Sequence, residues 1–249
     1  MQRVIEVENV VTRFGTNLVH DGVTLEVREG EIFGLLGPSG CGKTTLMRQM
    51  LMLETYESGR VRVLGEDVGR LGYAKAQALR QQWGVLFQQG ALYSSLTVAE
   101  NVGVVLKEYS DISQRLIDEI VAFKIALVGL KPSDGALYPS QISGGMRKKA
   151  ALARALAIDP KLLFLDEPTS GLDPISAREF DALILQLREM LGLTIVMVSH
   201  DLRSIYGTLD RMVVIDDKKI AAEGSLDAIL GVRNGFIETF FKGSHEQQG

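Results

Sequence analysis

Short runs of apolar residues alternate with amphipathic stretches along this chain. The runs at 32–36, 162–165 and 195–198 are continuously apolar, which is typical of parallel strands that are buried on both faces. The pattern predicts core strands over 31–37, 83–87, 162–166, 194–198 and 211–215. Helical spacing between them predicts helices over 43–53, 174–191 and 201–209. This alternation of strands and helices predicts an α/β layered core.

Two regions break the alternation. Apolar and polar residues alternate over 4–28 and 60–63, which predicts a small antiparallel sheet. Residues 97–158 have helical spacing and no convincing strand, so they are predicted to form a helical insert. We therefore expect a single domain over 1–242, with the core and β subdomain at about 1–96 and 159–235. Residues 243–249 are expected to be a flexible polar tail.

The composition of the 249 residues is that of an ordinary globular protein, with 46% hydrophobic and 23% charged residues. The net charge of −4 gives no global basic field that would recruit nucleic acid. The one cysteine, Cys41, excludes an intrachain disulfide and a cysteine-cluster zinc site. The N-terminus carries charge where a secretory signal needs apolar residues, and no run is long enough to span a membrane. We expect a soluble chain suited to the reducing cytosol, whose work at a membrane requires a partner.

One segment matches the phosphate-loop pattern G-x-x-x-x-G-K-[ST] between a predicted strand and a predicted helix. Its residues are Gly37, Pro38, Ser39, Gly40, Cys41, Gly42, Lys43 and Thr44. Glycines let the backbone N–H groups turn inward around an anion, and the helix N-terminus adds positive charge there. Lys43 would reach the β- and γ-phosphates, Thr44 would bind Mg²⁺, and Thr45 would add a contact. The alternative is a glycine-rich turn without a ligand, which this context disfavours.

Polar residues end two of the predicted strands. Asp166 and Glu167 follow the apolar run at 162–165; Asp166 can hold Mg²⁺ opposite Thr44, and Glu167 can act as the base or orient the attacking water. The alternative is that both acids only cap the next turn. His200 follows another strand and could contact the γ-phosphate or Glu167. The other histidines, His20 and His245, are expected to be solvated or merely hydrogen-bonded.

Further motifs in a fixed order resemble those of the ATP-binding cassette family. Ile142-Ser143-Gly144-Gly145-Met146 is similar to the family signature, and the residues at 150–156 are similar to the helix that follows it. Ser170-Gly171-Leu172-Asp173 resembles the D-loop. Gln88, Phe14 and His200 stand where the family has its Q-loop glutamine, an aromatic residue that stacks on adenine and the switch histidine. The resemblance extends over 4–231, nearly the whole chain.

The resemblance implies a P-loop NTPase (RecA-like) core with a small antiparallel β subdomain and an inserted helical subdomain. It implies that ATP and Mg²⁺ bind, that Gln88 contributes to catalysis and to the metal, and that Glu167 and His200 act in catalysis. Ser143, Gly144 and Gly145 would face the γ-phosphate held by a second copy in a head-to-tail dimer, with Asp173 at the seam. Taken alone, the serine-glycine turn favours a loop with simple helix capping, and the ordered set of motifs reverses that preference.

Within the family, Met146 and the following Arg147-Lys148-Lys149 resemble the lipid-transport ATPases that work with MCE proteins, the Mla type. This resemblance implies lipid cargo, an integral-membrane permease and an MCE-type lipid-binding partner, with a small accessory regulator as a further possibility. The location would then be the cytoplasmic face of the bacterial inner membrane. Transport of another solute and a regulatory cassette remain open. A cassette of the DNA-repair type is disfavoured, because Lys43 and Ser143 are too close in sequence for its inserted coiled coil. The type that acts on ribosomes resembles two cassettes fused in one chain, and this chain holds one.

Some apolar and basic groups are left with two interpretations each. The cluster at 147–149 is either a solvated helix face or a set of ion pairs to a partner. The aromatic stripe at 236–241 either packs on its own domain or docks on another chain. Trp83 and the methionines Met47, Met50 and Met52 are predicted to fill a core or an interface.

Overall fold

The computed structural model describes residues 2–242, and strands and helices alternate through them. The strands are β1 (Arg3–Phe14), β2 (Asn17–Arg28), β3 (Ile32–Leu36), β4 (Ser58–Val63), β5 (Glu66–Asp67), β6 (Trp83–Leu86), β7 (Leu162–Asp166), β8 (Thr194–Val198), β9 (Arg211–Asp216) and β10 (Lys219–Gly224). The α-helices are α1 (Lys43–Met50), α2 (Tyr73–Arg80), α3 (Val98–Tyr109), α4 (Gln114–Leu127), α5 (Gly144–Ala155), α6 (Pro174–Leu191), α7 (Leu202–Thr208), α8 (Leu226–Leu230) and α9 (Gly235–Lys242). The predicted tail, which includes His245, lies outside the described residues.

The predicted core strands and helices are all present, and the α/β class is confirmed. The prediction for the end of α1 is wrong, because the helix ends at Met50 rather than at residue 53. The N–H of Leu51 closes the helix on the carbonyl of Met47, and Met52 then takes a left-handed φ of 58°. A left-handed residue cannot continue a right-handed helix.

The described chain forms two compact units, and the first is drawn from Met1–Gln77 and Thr194–Gly249. Its antiparallel sheet has the strand order β2-β1-β4-β5. On β1, buried Ile5 lies between Val27 and Val63, and the side chains of this face form the interior. The predicted alternation of apolar and polar residues is therefore confirmed.

The first unit also contains four strands in the order β10-β9-β3-β8. Strand β3 is parallel to both neighbours, with Leu35 opposite Val198 on β8 and Val213 on β9. The loops that follow these parallel strands therefore emerge at one edge of the sheet. The β9–β10 pair is antiparallel.

The aromatic stripe of α9 packs on its own unit. Ile237 and Phe241 are each 1% exposed and belong to one apolar cluster with Leu36 of β3, Ile205 of α7 and Val214 of β9. Phe236 and Phe240 pack on the outside of this cluster. Of the two interpretations given for the stripe, the first is confirmed.

The second unit is Ala78–Leu193. Strand β6 is parallel to β7, with Leu86 opposite Leu165, and Trp83 packs edge-on against Phe164 at 6.1 Å. Residues 97–158 contain α3, α4 and α5 with 3-10 turns at Pro132–Ala136 and Pro139–Gln141, and no strand. Helix α3 begins with a capping box between Thr97 and Glu100. Nowhere in residues 2–242 is there a helix both long and apolar enough to span a bilayer.

Candidate functional site

The phosphate loop joins the end of β3 to the start of α1. Gly37 and Gly42 have φ values of 145° and 101°, in the region that side chains disfavour. A Cβ at Gly37 would lie 2.2 Å from the carbonyl oxygen of Ile215, and one at Gly42 would lie 2.3 Å from His20 Nε2. Both positions therefore require glycine, because any other residue would displace the backbone of the loop or its support.

Lys43, the first residue of α1, holds its ammonium group inside the loop. The group donates hydrogen bonds to the carbonyl oxygens of Gly37 and Pro38, both at 2.9 Å. Its nitrogen lies 3.8 Å from Cys41 Sγ. Burial raises the pKa of the Cys41 thiol, and the charge of Lys43 partly offsets this effect. The loop thus combines a fixed positive charge with a thiol that stays protonated at neutral pH.

A buried hydrogen-bond chain supports the loop from β1 and β2. His20 Nε2 lies 3.2 Å from the carbonyl oxygen of Gly42, and His20 Nδ1 lies 2.8 Å from Thr12 Oγ1. Gln49 Nε2, on α1, donates to the same Thr12 oxygen at 2.8 Å. Burial lowers the pKa of His20, and the hydrogen bond to Gly42 partly offsets the shift. His20 is therefore neutral at pH 7.

His20 was expected to be an ordinary hydrogen-bonded histidine, and its contact with the phosphate loop was missed. The alternation along β1 carries a signal, since Thr12 shares the buried face with Val10. A polar side chain at a buried position needs a partner. That reasoning predicts a polar contact there but does not identify the partner.

His200 lies at the same sheet edge as the phosphate loop. It follows β8 by two residues and is exposed, and β8 is parallel to β3 in the first unit. Phe14 ends β1 opposite Asn17 and is 44% exposed, so its ring is accessible for stacking.

In the second unit, Gln88 and Glu167 follow the parallel strands β6 and β7, and Asp166 ends β7, at one edge of the sheet. Gln88 Nε2 donates to Glu167 Oε2 at 2.7 Å. Asp166 is the last residue of β7 and is 7% exposed. Glu167 has a left-handed φ of 48°, a conformation that a residue with a side chain adopts only when its surroundings hold it.

Lys148 is one of the groups that hold Glu167 in this conformation. Its ammonium donates to the backbone carbonyls of Gln88 and of Glu167, the latter at 3.0 Å. Burial lowers the pKa of Lys148 to about 8, while the carboxylates of Glu167 and Asp166 act in the opposite direction.

The prediction of a solvated face at 147–149 is wrong for Lys148, which is 6% exposed. On α5, Lys148 stands three and four residues before buried Ala151 and Leu152. Residues at this spacing share a helix face, so the spacing of the apolar residues on α5 already indicates that Lys148 lies on the buried face. The neighbouring Arg147 donates to the carbonyl of Ile142 at 3.1 Å.

The signature serine and the D-loop aspartate both cap helices. Ser143 Oγ accepts from the N–H of Met146 at 3.2 Å at the start of α5. Asp173 accepts from the N–H groups of Ile175 and Ser176 at the start of α6. Hydrogen bonds from the Ser176 hydroxyl and from backbone N–H groups lower the pKa of Asp173. The capping role considered for the serine-glycine turn is therefore present.

A cleft of about 540 Å³ brings these motifs of the second unit together. Gln88 lines it from the loop after β6, Gly144 and Lys148 line it from α5, and Gly171 and Leu172 line it from the D-loop. The Q-loop, signature and D-loop residues, which are far apart in sequence, thus share one surface.

The residues predicted to bind metal offer donors that suit Mg²⁺. Thr44, Gln88 and Asp166 supply hydroxyl, amide and carboxylate oxygens, and Mg²⁺ prefers oxygen ligands. Residues 2–242 contain no cluster of three or more His, Cys, Asp or Glu side chains arranged to hold a metal.

Comparisons with known proteins agree with these motifs. Residues 20–170 match the ABC transporter family. The chain is 38% identical over 245 residues to the intermembrane phospholipid transport system ATP-binding protein MlaF of Haemophilus influenzae, covering 98% of this chain and 92% of that protein. It is 42% identical over 224 residues to the methionine import ATP-binding protein MetN of Mesorhizobium japonicum, covering 90% of this chain and 60% of MetN.

A solved structure shares the fold. It is a dimeric post-hydrolysis state of an ATP-binding cassette bound to ADP and phosphate, with 28% sequence identity and a TM-score of 0.80. The match covers 89% of this chain and 98% of that one. The predicted P-loop NTPase fold of the cassette type is therefore confirmed.

Proposed function

Because this chain belongs to the ABC transporter family, as an ATP-binding subunit that hydrolyses ATP, we propose that it powers phospholipid transport through a separate membrane permease. The observation that carries the ATPase part is the hydrogen bond of 2.7 Å between Gln88 and Glu167, in the unit that also presents the signature turn. The observation that carries the cargo is the similarity to MlaF along almost the full length of both proteins.

The first unit binds the triphosphate in this proposal. The N–H groups of the phosphate loop, from Gly37 to Thr45, surround the phosphates, and Lys43 neutralises charge on the β- and γ-phosphates. Pro38, Ser39, Gly40, Cys41 and Gly42 contribute through the backbone of the loop. His200 contacts the γ-phosphate, and Phe14 stacks on adenine.

Glu167 is the proposed general base. In-line attack on the γ-phosphorus needs a water that loses a proton as the new P–O bond forms and the bond to the β-phosphate oxygen breaks. The Glu167 carboxylate accepts that proton, and the Gln88 carboxamide orients the carboxylate through the bond described above. Thr44, Gln88 and Asp166 would hold Mg²⁺, which when bound offsets the negative charge of the phosphates.

A second copy of the chain completes each nucleotide site in this proposal. One copy carries one phosphate loop and one signature turn. The N–H groups of Ser143, Gly144 and Gly145 at the start of α5 form a second anion-binding end. They would bind the γ-phosphate held by the other copy, with Asp173 at the seam of a head-to-tail dimer. The dimeric cassette found among solved structures supports this arrangement.

Similarity to the relatives supports the permease and the cargo in this proposal. MlaF is the ATP-binding protein of an intermembrane phospholipid transport system, so we assign phospholipid to this chain, with an MCE-type lipid-binding partner and a place at the cytoplasmic face of a bacterial inner membrane. A small accessory protein is compatible with this assembly. The methionine import ATP-binding protein MetN has a higher sequence identity to this chain than MlaF has, but over a shorter span. The match covers only 60% of the length of MetN.

The proposal is tested by purifying the tagged chain in detergent with its membrane partners and reconstituting the complex in liposomes. We expect an integral-membrane permease and an MCE protein to co-purify. ATP should then drive transfer of labelled phospholipid, and the Lys43→Ala complex should not support transfer. ATP-driven uptake of methionine without phospholipid transfer would replace the assigned cargo, and co-purification with ribosomes or DNA would contradict the transport role.

A further inference from the structure

We propose that Lys148 is a positioning residue for ATP hydrolysis, which ties the signature helix α5 to both the Gln88 loop and the backbone of Glu167. This inference rests on the role proposed above for Glu167 as the base. It assigns a task to a buried cation that the family motifs leave without one.

The geometry forms a closed ring. The Lys148 ammonium donates to the carbonyl of Gln88 and, at 3.0 Å, to the carbonyl of Glu167. The Gln88 side chain donates to the Glu167 carboxylate at 2.7 Å, which closes the ring through the two residues. Gln88 and Glu167 are thereby each held at the backbone carbonyl as well as at the side chain.

Burial of the ammonium shows that this position is not adventitious. A charged group that is 6% exposed loses hydration and is tolerated only where acceptors replace the lost water. Here two carbonyl oxygens are in place, and the negative charges of Asp166 and Glu167 are close. Charge-assisted hydrogen bonds of this kind are about twice as strong as neutral ones.

The backbone conformation of Glu167 explains why this ring of hydrogen bonds matters for the proposed base. Its φ of 48° is unfavourable for a residue with a Cβ, so the backbone needs an external restraint to stay there. The bond from Lys148 to the Glu167 carbonyl is such a restraint. Because Lys148 lies five residues after Ser143 on the same helical segment, movement of the signature turn reaches the base through this side chain.

The test compares Lys148→Met, which removes the donors at similar length, with Lys148→Arg, which keeps them. Lys149→Met is the matched control, since it removes the same charge from the next residue of α5. For Lys148→Met we expect kcat to fall at least about tenfold while KM for ATP changes less than about twofold, because orientation of a catalytic group affects the chemical step. Lys149→Met should keep native kcat, and Lys148→Arg should recover most of the lost kcat.

Native kcat in Lys148→Met, or equal losses in Lys148→Met and Lys149→Met, would overturn the proposal. So would a rise in KM without a fall in kcat. If the methionine variant does not fold, the arginine variant decides: near-native kcat supports the inference, and a loss equal to that of Glu167→Gln contradicts it.

A double variant separates this inference from the function on which it rests. If Lys148 acts through Glu167, adding Lys148→Met to Glu167→Gln lowers kcat by less than about twofold further, because coupled residues are not additive. Independent roles would multiply the two losses. Native turnover in the single variant Glu167→Gln would show that Glu167 is not the base. If Glu167→Gln loses turnover while Lys148→Met keeps native turnover, only the role of Lys148 is contradicted.

Discussion

At the scale of single residues, the hydrogen bonds around His20 determine which of its nitrogens carries the proton. Gln49 Nε2 donates to the carbonyl of Thr55 at 3.0 Å, which fixes the orientation of its amide. The same nitrogen donates to Thr12 Oγ1, so the Thr12 hydroxyl donates in turn to His20 Nδ1. His20 Nε2 therefore bears the hydrogen that bonds the Gly42 carbonyl, and a neutral ring satisfies both the Thr12 hydroxyl and the Gly42 carbonyl.

This arrangement predicts a pH-dependent stability. Because burial lowers the pKa of His20 in the folded state, the unfolded chain binds the proton first as pH falls through about 6.5. The contribution is fully present above that value. The free energy of unfolding should therefore fall as pH is lowered from about 7.5 to about 5.5.

Chemical denaturation of the native chain and of His20→Gln at both pH values measures this contribution. Glutamine can still donate to the Gly42 carbonyl but does not titrate. The loss of unfolding free energy on acidification should therefore be smaller in the variant than in the native chain. Identical losses in the two proteins would show that His20 does not set this dependence.

Glu167 gives the sharpest catalytic prediction. Glu167→Gln keeps the size of the side chain and removes the base, so turnover should fall by about 10² to 10⁴. Binding of ATP should be retained, and ATP should trap the protein as a dimer because hydrolysis no longer reopens it. Steady-state turnover, fluorescent-nucleotide binding and light scattering measure the three quantities. Unchanged hydrolysis would remove Glu167 from the role of base.

The sequence identified the residues that carry motifs, because phosphate binding and proton transfer need particular residue types at particular spacings. Lys43 and Glu167 belong to this group. It did not identify Lys148 and His20, whose contacts run to backbone carbonyls of residues far away in the chain. Every residue has a backbone carbonyl, so a contact of this kind does not require a particular residue type at the partner position.

At the scale of elements, buried strands were predicted well and short polar elements were not. Strands β7 and β8 have the predicted bounds because burial on both faces requires continuous apolar residues. The two-residue strand β5 and the helix α2 were not predicted. Segments this short or this exposed are fixed by their neighbours, and their own sequences show no clear period.

Helix α9 provides a stability prediction at this scale. Phe241 is 1% exposed in the cluster beside β9, and Phe241→Ala should lower the free energy of unfolding by about 3–4 kcal/mol. The control is Phe123→Ala on α4, where the ring is 59% exposed and the loss should stay under about 1 kcal/mol. Urea denaturation followed by circular dichroism measures both. Equal losses would mean that α9 contributes no more than a surface side chain.

At the scale of the whole molecule, the order of motifs was sufficient to predict the family. The cargo is harder to predict than the family, because the motifs that identify the family consist of residues proposed to bind ATP and not cargo. Relatives named for phospholipid transport and for methionine import are accordingly 38% and 42% identical to this chain.

The proposed head-to-tail dimer leads to a prediction that only a site shared between two copies can satisfy. Lys43→Ala disables the phosphate loop, and Ser143→Arg blocks the signature turn, so each variant alone should be inactive. In a mixed dimer, the intact loop of one copy meets the intact signature of the other, while the second site carries both defects. Random pairing gives half mixed dimers with one working site each, so a 1:1 mixture should recover about a quarter of native ATPase activity.

The matched control mixes Lys43→Ala with Glu167→Gln. Both residues are proposed to serve the nucleotide held by their own copy, so the Glu167→Gln copy brings its defect to the one site whose phosphate loop is intact. That mixture should stay inactive. Activity in the control mixture as well would show that recovery does not depend on the proposed pairing of sites. No recovery in the mixture with Ser143→Arg would mean that each copy completes its site alone. The two mixtures together therefore distinguish a nucleotide shared between copies from one enclosed by a single chain.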